Sequence, residues 1–309
     1  MRYVALAHER RTMSEISESQ KDQASIWFMA LRDEIVQAFE HLEAQHNEGP
    51  FSDHPIGQFD VTTTQRHSDS GKDAGGGLMS VMRGGRVFEK VGVNVSTVFG
   101  PLGPQAQTAM AARKSIPGME ENPCFWASGI SLVAHMQNPH CPAVHMNTRM
   151  FWTPGAWWFG GGTDLNPCIE YEEDTGHFHD TLKNYLRPHD AGLYDKLKDW
   201  ADEYFYIPHR NRARGVGGIF MDDRCTDDWE KDFELTKDIG RAFLPAFLPL
   251  VKKRLIQQWG DADKDAQLQH RGLYAEYNLV YDRGTKFGLN SGHDANAVLM
   301  SLPPLAKWV

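Results

Sequence analysis

The chain has 309 residues, 41% of them hydrophobic and 11% aromatic, so it can bury a substantial core and is not an intrinsically disordered protein. Its formal net charge of −9 argues against nucleic-acid binding, because contacts to phosphates require a basic face. No apolar run is long enough to span a membrane, and residues 1–25 lack a signal-peptide pattern.

The first predicted element is a helix over residues 17–45. Apolar residues recur there at helical spacing, and Ser17 with Gln20 resembles a capping box. A polar linker follows, from about 46 to 57. Residues 78–83 and 86–94 then predict a β-hairpin, because Gly84 and Gly85 between them can adopt the positive φ angles of a tight turn.

The remaining strands and helices are predicted from residue patterns further along the chain. Strands are predicted over 124–136, 143–153, 156–160, 216–221 and 274–281. Helices are predicted over 171–187, 192–205, 227–258 and 294–300, with Pro245 and Pro249 expected to bend or break the third of these. Hairpin-like adjacency of the early strands favours an antiparallel sheet. We therefore predict one α+β domain over 57–309, with the helix and linker of residues 1–56 packed on it.

Two of these strands carry polar side chains on one face. Residues two apart in a strand point the same way, so Ser131 lies on the same side as His135, and His145 shares a face with Asn147 and Arg149. An imidazole, an amide and a fixed cation together suit an anionic substrate that undergoes acid–base chemistry. The alternative is a solvated face of an amphipathic sheet.

Two glycine runs, 75–77 and 160–162, could let backbone N–H groups approach carboxylates, although each is more typical of a plain turn. Neither run fits a phosphate-binding or dinucleotide-binding fingerprint. Asp164 follows the second run and is predicted at a strand end, where a functional role and a turn or capping role are both open.

Four cysteines lie far apart with no CxxC pair, which is typical of reduced thiols in the cytoplasm. The histidines leave two interpretations open. The side chains of His135, His145, His179 and His209 could converge on a metal ion, but the chain has no HExxH, and no closely spaced histidine–carboxylate pair marks a non-haem iron facial triad. Spacing alone favours a polar cluster over a metal site.

The order of motifs from about residue 57 to 305 resembles the oxygen-dependent coproporphyrinogen III oxidase family. The matching segments are 75–77, 88–96, the block from Phe125 to Arg149, 157–165, 172–174, 177–179, 202–205, 209–211, 217–220 and 281–285. The resemblance implies a large antiparallel sheet flanked by helices on both faces, working as a homodimer. It also implies conversion of coproporphyrinogen III to protoporphyrinogen IX in haem biosynthesis. Two propionates, on rings A and B, become vinyl groups, with molecular oxygen as co-substrate and with carbon dioxide and peroxide released.

The resemblance also implies roles for individual residues. His145 corresponds to the family's proton donor, and Asp164 to an aspartate proposed to contact the pyrrole nitrogens. Substrate binding is implied for Ser131, Asn147, Thr148, Arg149 and Gly292. A divalent metal is implied for His135, His145, His179 and His209, although the chemistry can proceed on the electron richness of the substrate itself. No flavin, haem or nicotinamide cofactor is expected.

This chain departs from the family pattern in the loop over residues 291–294. Many members have Gly-Gly-Arg there, whereas this chain has Ser291-Gly292-His293-Asp294, so an acid replaces the arginine. Two other classes of protein are kept as alternatives. A metal-dependent hydrolase would use the histidines around an ion-activated water, and a non-catalytic tetrapyrrole-binding protein would use the same cleft without consuming oxygen.

Overall fold

A computed structural model describes residues 16–68, 71–104, 107–108, 116, 119, 121–290 and 294–308. The first helix, α1 (Glu18–Gln45), begins as predicted at a capping box between Ser17 and Gln20. Its apolar face, which includes Phe28, Ile35 and Phe39, is fully buried. The Phe39 ring contacts the ring of Phe88 on the sheet at 4.6 Å between centroids, so α1 covers one sheet face.

Seven strands form one antiparallel sheet, in the order β1-β2-β3-β4-β5-β6-β9, which confirms the predicted sheet type. Their bounds are β1 (Asp60–His67), β2 (Asp73–Arg83), β3 (Phe88–Pro101), β4 (Cys124–Met136), β5 (Ala143–Thr153), β6 (Ala156–Asn166) and β9 (Gly218–Arg224). Two short strands, β7 (Tyr206–Ile207) and β8 (Arg212–Ala213), pair with each other outside this sheet.

Six further helices follow among the described residues. They are α2 (Glu172–Leu186), α3 (Leu193–Tyr204), α4 (Trp229–Arg254), α5 (Asp261–Val280), α6 (Arg283–Asn290) and α7 (Ala295–Val298). Helices α1 and α4 pack on one face of the sheet, and α2 packs on α4. On the other face, α5 contributes Tyr277 to a smaller cluster with Phe205 and Phe220. The predicted α+β architecture with helices on both faces is confirmed.

One prediction of local structure is wrong, and the helix break allowed for in another is not observed. Residues 274–280 form the end of helix α5 and Tyr281 is its C-cap, so this segment is not a strand, because Tyr274, Tyr277 and Asn278 are buried at helical spacing. Pro245 and Pro249 do not break α4, which is continuous. Burial of Phe243, Phe247 and other apolar side chains of α4 offsets the roughly 3 kcal/mol that an interior proline costs. Strand β1 and helix α6 were not predicted.

The interpretation of both glycine runs as turns is also wrong, because residues 75–77 lie within β2 and residues 160–162 within β6. A Cβ atom on Gly77 would come within 2.0 Å of the Val95 carbonyl oxygen on the next strand. The glycines therefore allow close backbone approach inside the sheet. No helix among the described residues is long and apolar enough to cross a membrane.

Candidate active site

A cavity of about 460 Å³ lies on the sheet face opposite α1 and α4, within the size range of small-molecule sites. The central strands form its floor, and α6, α7 and parts of α3 and α5 contribute to its walls. Much of the lining is aromatic or apolar, including Phe151, Trp158, Tyr204, Phe220, Tyr274 and Met300. Such walls suit a large ligand with an apolar body.

The polar part of the floor comes from alternate residues of β5. His145, Asn147 and Arg149 all line the cavity, as the two-residue spacing predicts. On β6 the residues directly opposite them are Asp164, Gly162 and Gly160. A Cβ atom on Gly160 would lie 2.8 Å from Cζ of Arg149, so the glycine makes room for the guanidinium.

Strand β4 contributes Ser131 to the cavity, and its side chain is exposed there beside Asn147 of β5. His135 lies on the same strand, but its side chain is buried outside the cavity. Its Nε2 is 2.9 Å from the Ser301 carbonyl oxygen. Burial, reinforced by the nearby Arg271 charge, lowers the pKa of His135 to about 3, so this ring is neutral at physiological pH.

One of the implied substrate-binding residues does not lie in the cavity. Thr148 points away from it and is fully buried on the opposite face, because neighbouring residues of a strand alternate between faces. The implied contact of Thr148 with the substrate therefore does not fit the structure. Gly292 lies outside the described residues. Asp294, at the end of the same loop, caps α7 and lines the cavity.

Asp164 lies inside β6 behind the cavity wall, and its side chain is 1% exposed. Arg214 donates to both carboxylate oxygens, at 2.8 and 2.7 Å, and His145 Nδ1 lies 2.9 Å from Oδ1. Burial alone would raise the pKa of Asp164, but the charge and hydrogen bonds of Arg214, with the hydrogen bond of His145, hold it well below its usual range.

The prediction that Asp164 faces the pyrrole nitrogens of a substrate does not agree with this geometry. The carboxylate does not line the cavity, and Arg214, His145 and Asn166 surround both of its oxygens. Asp164 instead orients His145, as a buried carboxylate does for an imidazole in other acid–base sites. His145 is the titratable residue of this pair that faces the cavity.

Several cavity residues were not predicted to be functional from the sequence. Asp222 of β9 pairs with Arg149 at 2.7 Å and with Arg283 at 3.2 Å, and all three line the cavity. Arg283 also lies over the Tyr204 ring, with Cζ 4.8 Å from the centroid. Two sequence signals could have drawn attention to them: Arg214 belongs to a basic run of residues 210–214, and Arg283 lies in the family-like segment 281–285.

The histidines implied as metal ligands are not brought together. His179 contacts the Val216 carbonyl oxygen and the Tyr194 hydroxyl, whereas His209 contacts Tyr281 and Glu276. Neither of them lines the cavity. Across the described part of the chain, which includes the four histidines, no three His, Cys, Asp or Glu side chains form a possible metal site. The residues present therefore do not fit a shared divalent ion.

Comparison with known proteins places the chain in one family. The family model described as coproporphyrinogen III oxidase matches residues 23–309. A protein of Rickettsia bellii (strain RML369-C), named oxygen-dependent coproporphyrinogen-III oxidase, is 44% identical over 293 residues, which cover 95% of this chain and 100% of the relative. Proteins of the same name from Rickettsia akari (strain Hartford) and Rickettsia peacockii (strain Rustic) are 44% and 43% identical over 288 residues, 93% of this chain and 98% of each relative. The chain belongs to the coproporphyrinogen III oxidase family.

Proposed function

We propose that the protein catalyses the oxygen-dependent oxidative decarboxylation of coproporphyrinogen III to protoporphyrinogen IX, in haem biosynthesis. The observation that carries the proposal is the arrangement on β5, where the Arg149 guanidinium and the His145 imidazole face one aromatic-walled cavity. A porphyrinogen has an apolar body and four carboxylates. The aromatic walls can pack against the apolar body, and Arg149 and Arg283 can bind carboxylates. His145 can carry the proton that the reaction needs.

For each propionate, the overall change is R–CH2–CH2–COO⁻ + O2 + H⁺ → R–CH=CH2 + CO2 + H2O2. The side chain loses carbon dioxide and the equivalent of a hydride, and oxygen accepts both electrons. One proton is consumed for each vinyl group formed. His145 is the cavity residue best placed to carry it, because Asp164 holds its ring in a fixed orientation. We propose that the propionates of rings A and B react.

The direct test is to bind coproporphyrinogen III without oxygen and then admit oxygen. Release of carbon dioxide and appearance of the divinyl product, detected by the fluorescence of its oxidised porphyrin, are expected to depend on oxygen. Binding without oxygen consumption would instead support a tetrapyrrole carrier. Hydrolytic activity that requires added metal would support a metal-dependent hydrolase.

Replacing Arg149 by lysine tests the carboxylate anchor. Lysine keeps the charge but loses the planar fork that binds a carboxylate bidentately. We expect the transition-state stabilisation calculated from kcat/KM to fall by about 1.5–3 kcal/mol, mainly because the substrate binds more weakly. Steady-state kinetics measure this effect, with Arg187→Lys at an exposed position as the matched control. Unchanged catalytic efficiency would remove Arg149 from the substrate site.

Removal of divalent metal is expected to leave activity intact. The described residues do not gather a ligand set, and the substrate is itself electron-rich enough to react with oxygen. After extensive dialysis against a chelator, the rate with oxygen should match that of untreated protein. Loss of activity that one particular divalent ion restores would contradict this expectation.

We propose that the protein works as a homodimer in the cytoplasm. Free thiols at the four cysteines support a reducing compartment. Exposed Leu279 and Val280 at the end of α5, with Leu305 and Trp308 in the C-terminal segment that packs against the same helix, support an interface between copies. Sedimentation equilibrium measures the oligomeric state.

A further inference from the structure

A continuous row of hydrogen bonds connects the carboxylate anchor with the imidazole. Arg149 Nη2 donates to Asp222 Oδ1 at 2.7 Å, and Arg149 Nη1 donates to Asn147 Oδ1 at 2.9 Å. The Asn147 side-chain nitrogen then lies 3.0 Å from His145 Nε2. On the other side of the ring, His145 Nδ1 lies 2.9 Å from Asp164 Oδ1. The proposed carboxylate-binding and proton-carrying groups are thus linked through one amide.

The chemistry of these groups determines the direction of each hydrogen bond. A guanidinium has donors only, so the Asn147 atom that faces Arg149 must be the oxygen. The Asn147 NH2 group therefore faces His145, and Nε2 must accept its hydrogen bond. Asp164 is ionised beside Arg214, so it accepts from Nδ1–H. These hydrogen bonds accordingly assign His145 the Nδ1–H form in the free enzyme, with a lone pair on Nε2.

The groups that surround the His145 ring are the same ones that determine this assignment of its proton. Asp164 from β6, backed by Arg214, faces Nδ1, while Asn147 from its own strand faces Nε2. Arg149 and Asp222 act on the ring through Asn147. The ring of Phe205, beyond the end of α3, packs edge-on against the imidazole at 5.9 Å between centroids and carries no charge.

We propose that Asn147 is a positioning residue that keeps His145 in the Nδ1–H form until a substrate carboxylate occupies Arg149. When the carboxylate engages the guanidinium, the Asn147 amide loses the donor that fixes it and can rotate. Its oxygen can then accept from Nε2–H, so His145 takes up a proton from bulk solvent, the H⁺ of the overall equation, and becomes an imidazolium. The imidazolium transfers that proton to hydroperoxide (HOO⁻), which gives H2O2 and neutral His145. This supplies the one proton that each decarboxylation consumes.

The first half of the test needs no substrate and is therefore independent of the proposed function. Nitrogen-15 NMR of labelled histidine distinguishes the Nδ1–H tautomer, the Nε2–H tautomer and the imidazolium. His145→Gln identifies the resonances by their loss. At pH 7 the free enzyme is expected to show the Nδ1–H pattern for His145. Asn147→Asp is expected to show the imidazolium, because the new carboxylate accepts from Nε2–H. Asn184→Asp, an exposed amide on α2, is the matched control and should leave the pattern unchanged.

The second half uses coproporphyrinogen III under anaerobic conditions, where it binds without turnover. The His145 resonances are expected to move from the Nδ1–H pattern to the imidazolium pattern on binding, whereas Asn147→Asp should not respond. An imidazolium or an Nε2–H tautomer in the free wild-type enzyme would overturn the proposal. So would an Asn147→Asp spectrum like that of the wild type, or an unchanged tautomer in a saturated complex. Failure of the substrate to bind, measured by equilibrium dialysis, would count against the proposed function and leave the free-enzyme result standing.

Discussion

Replacing His145 by glutamine is expected to lower turnover by roughly 10²–10⁴-fold, the usual contribution of a positioned general acid–base group. Glutamine can still donate a hydrogen bond to Asp164, so the fold and the buried ion pair should persist. What it cannot do is carry a proton at neutral pH. Single-turnover rates after oxygen is admitted to the anaerobic complex measure the loss directly.

The matched control is His41→Gln, at an exposed position on α1, which should keep the wild-type rate. Substrate affinity measured without oxygen is expected to be nearly unchanged in His145→Gln, because Arg149 and the aromatic walls remain. A wild-type single-turnover rate in this variant would exclude His145 as the proton carrier. A loss confined to binding would mean that the residue recognises the substrate but takes no part in the chemistry.

Replacing Asp164 by asparagine is expected to destabilise the protein by about 3–5 kcal/mol, because the buried Arg214 charge loses its partner. The side chain of Arg214 is 2% exposed, and Asp164 accepts two hydrogen bonds from it. Asparagine also cannot hold the His145 ring through a charged hydrogen bond, so turnover should fall as well. Denaturant unfolding measures the stability, with exposed Asp199→Asn on α3 as control.

A double variant separates the effect of losing the Asp164–Arg214 ion pair from the effect of leaving the buried Arg214 charge without its partner. Asp164→Asn combined with Arg214→Met should be more stable than Asp164→Asn alone, because the second change removes the buried cation. An Asp164→Asn protein as stable as the wild type would show that the pair contributes nothing to folding.

The pH dependence of stability follows from the depressed pKa of Asp164. A carboxyl group whose pKa is lowered by folding stabilises the fold at pH values above its ordinary pKa of 3.8. This stabilisation is lost as the pH falls toward the lower pKa that the group has in the folded protein. The difference in unfolding free energy between the wild type and Asp164→Asn should therefore be constant from about pH 5 to 8 and shrink only in acid.

Part of the fold could be predicted because its signals are local. Strands β4 and β5 have the bounds that their residue patterns predict, and the capping box at Ser17 begins α1. The two-residue period of a strand placed His145, Asn147 and Arg149 on one face without any knowledge of their neighbours. The same period explains why Thr148, given a substrate contact by the family resemblance, is buried on the opposite face.

Local signals failed where a residue's role depends on distant partners. The pattern of residues 274–281 is compatible with a strand, and only tertiary packing makes it helical, with Tyr277 beside Phe205 and Phe220 and the Tyr274 ring against the Arg214 guanidinium. The glycines of β6 show their purpose only beside the Arg149 side chain of the next strand.

The sequence alone determined the family, the sheet type and the row of polar residues on β5. The tertiary structure decided which charged side chains of the protein form ion pairs with each other. Asp164 was expected to face the substrate, but strand register places it opposite His145, and a loop fifty residues away in sequence brings Arg214 to its other side. Asp222 and Arg283 come from still other elements. Such pairings depend on register and helix packing, which no periodicity within one segment encodes.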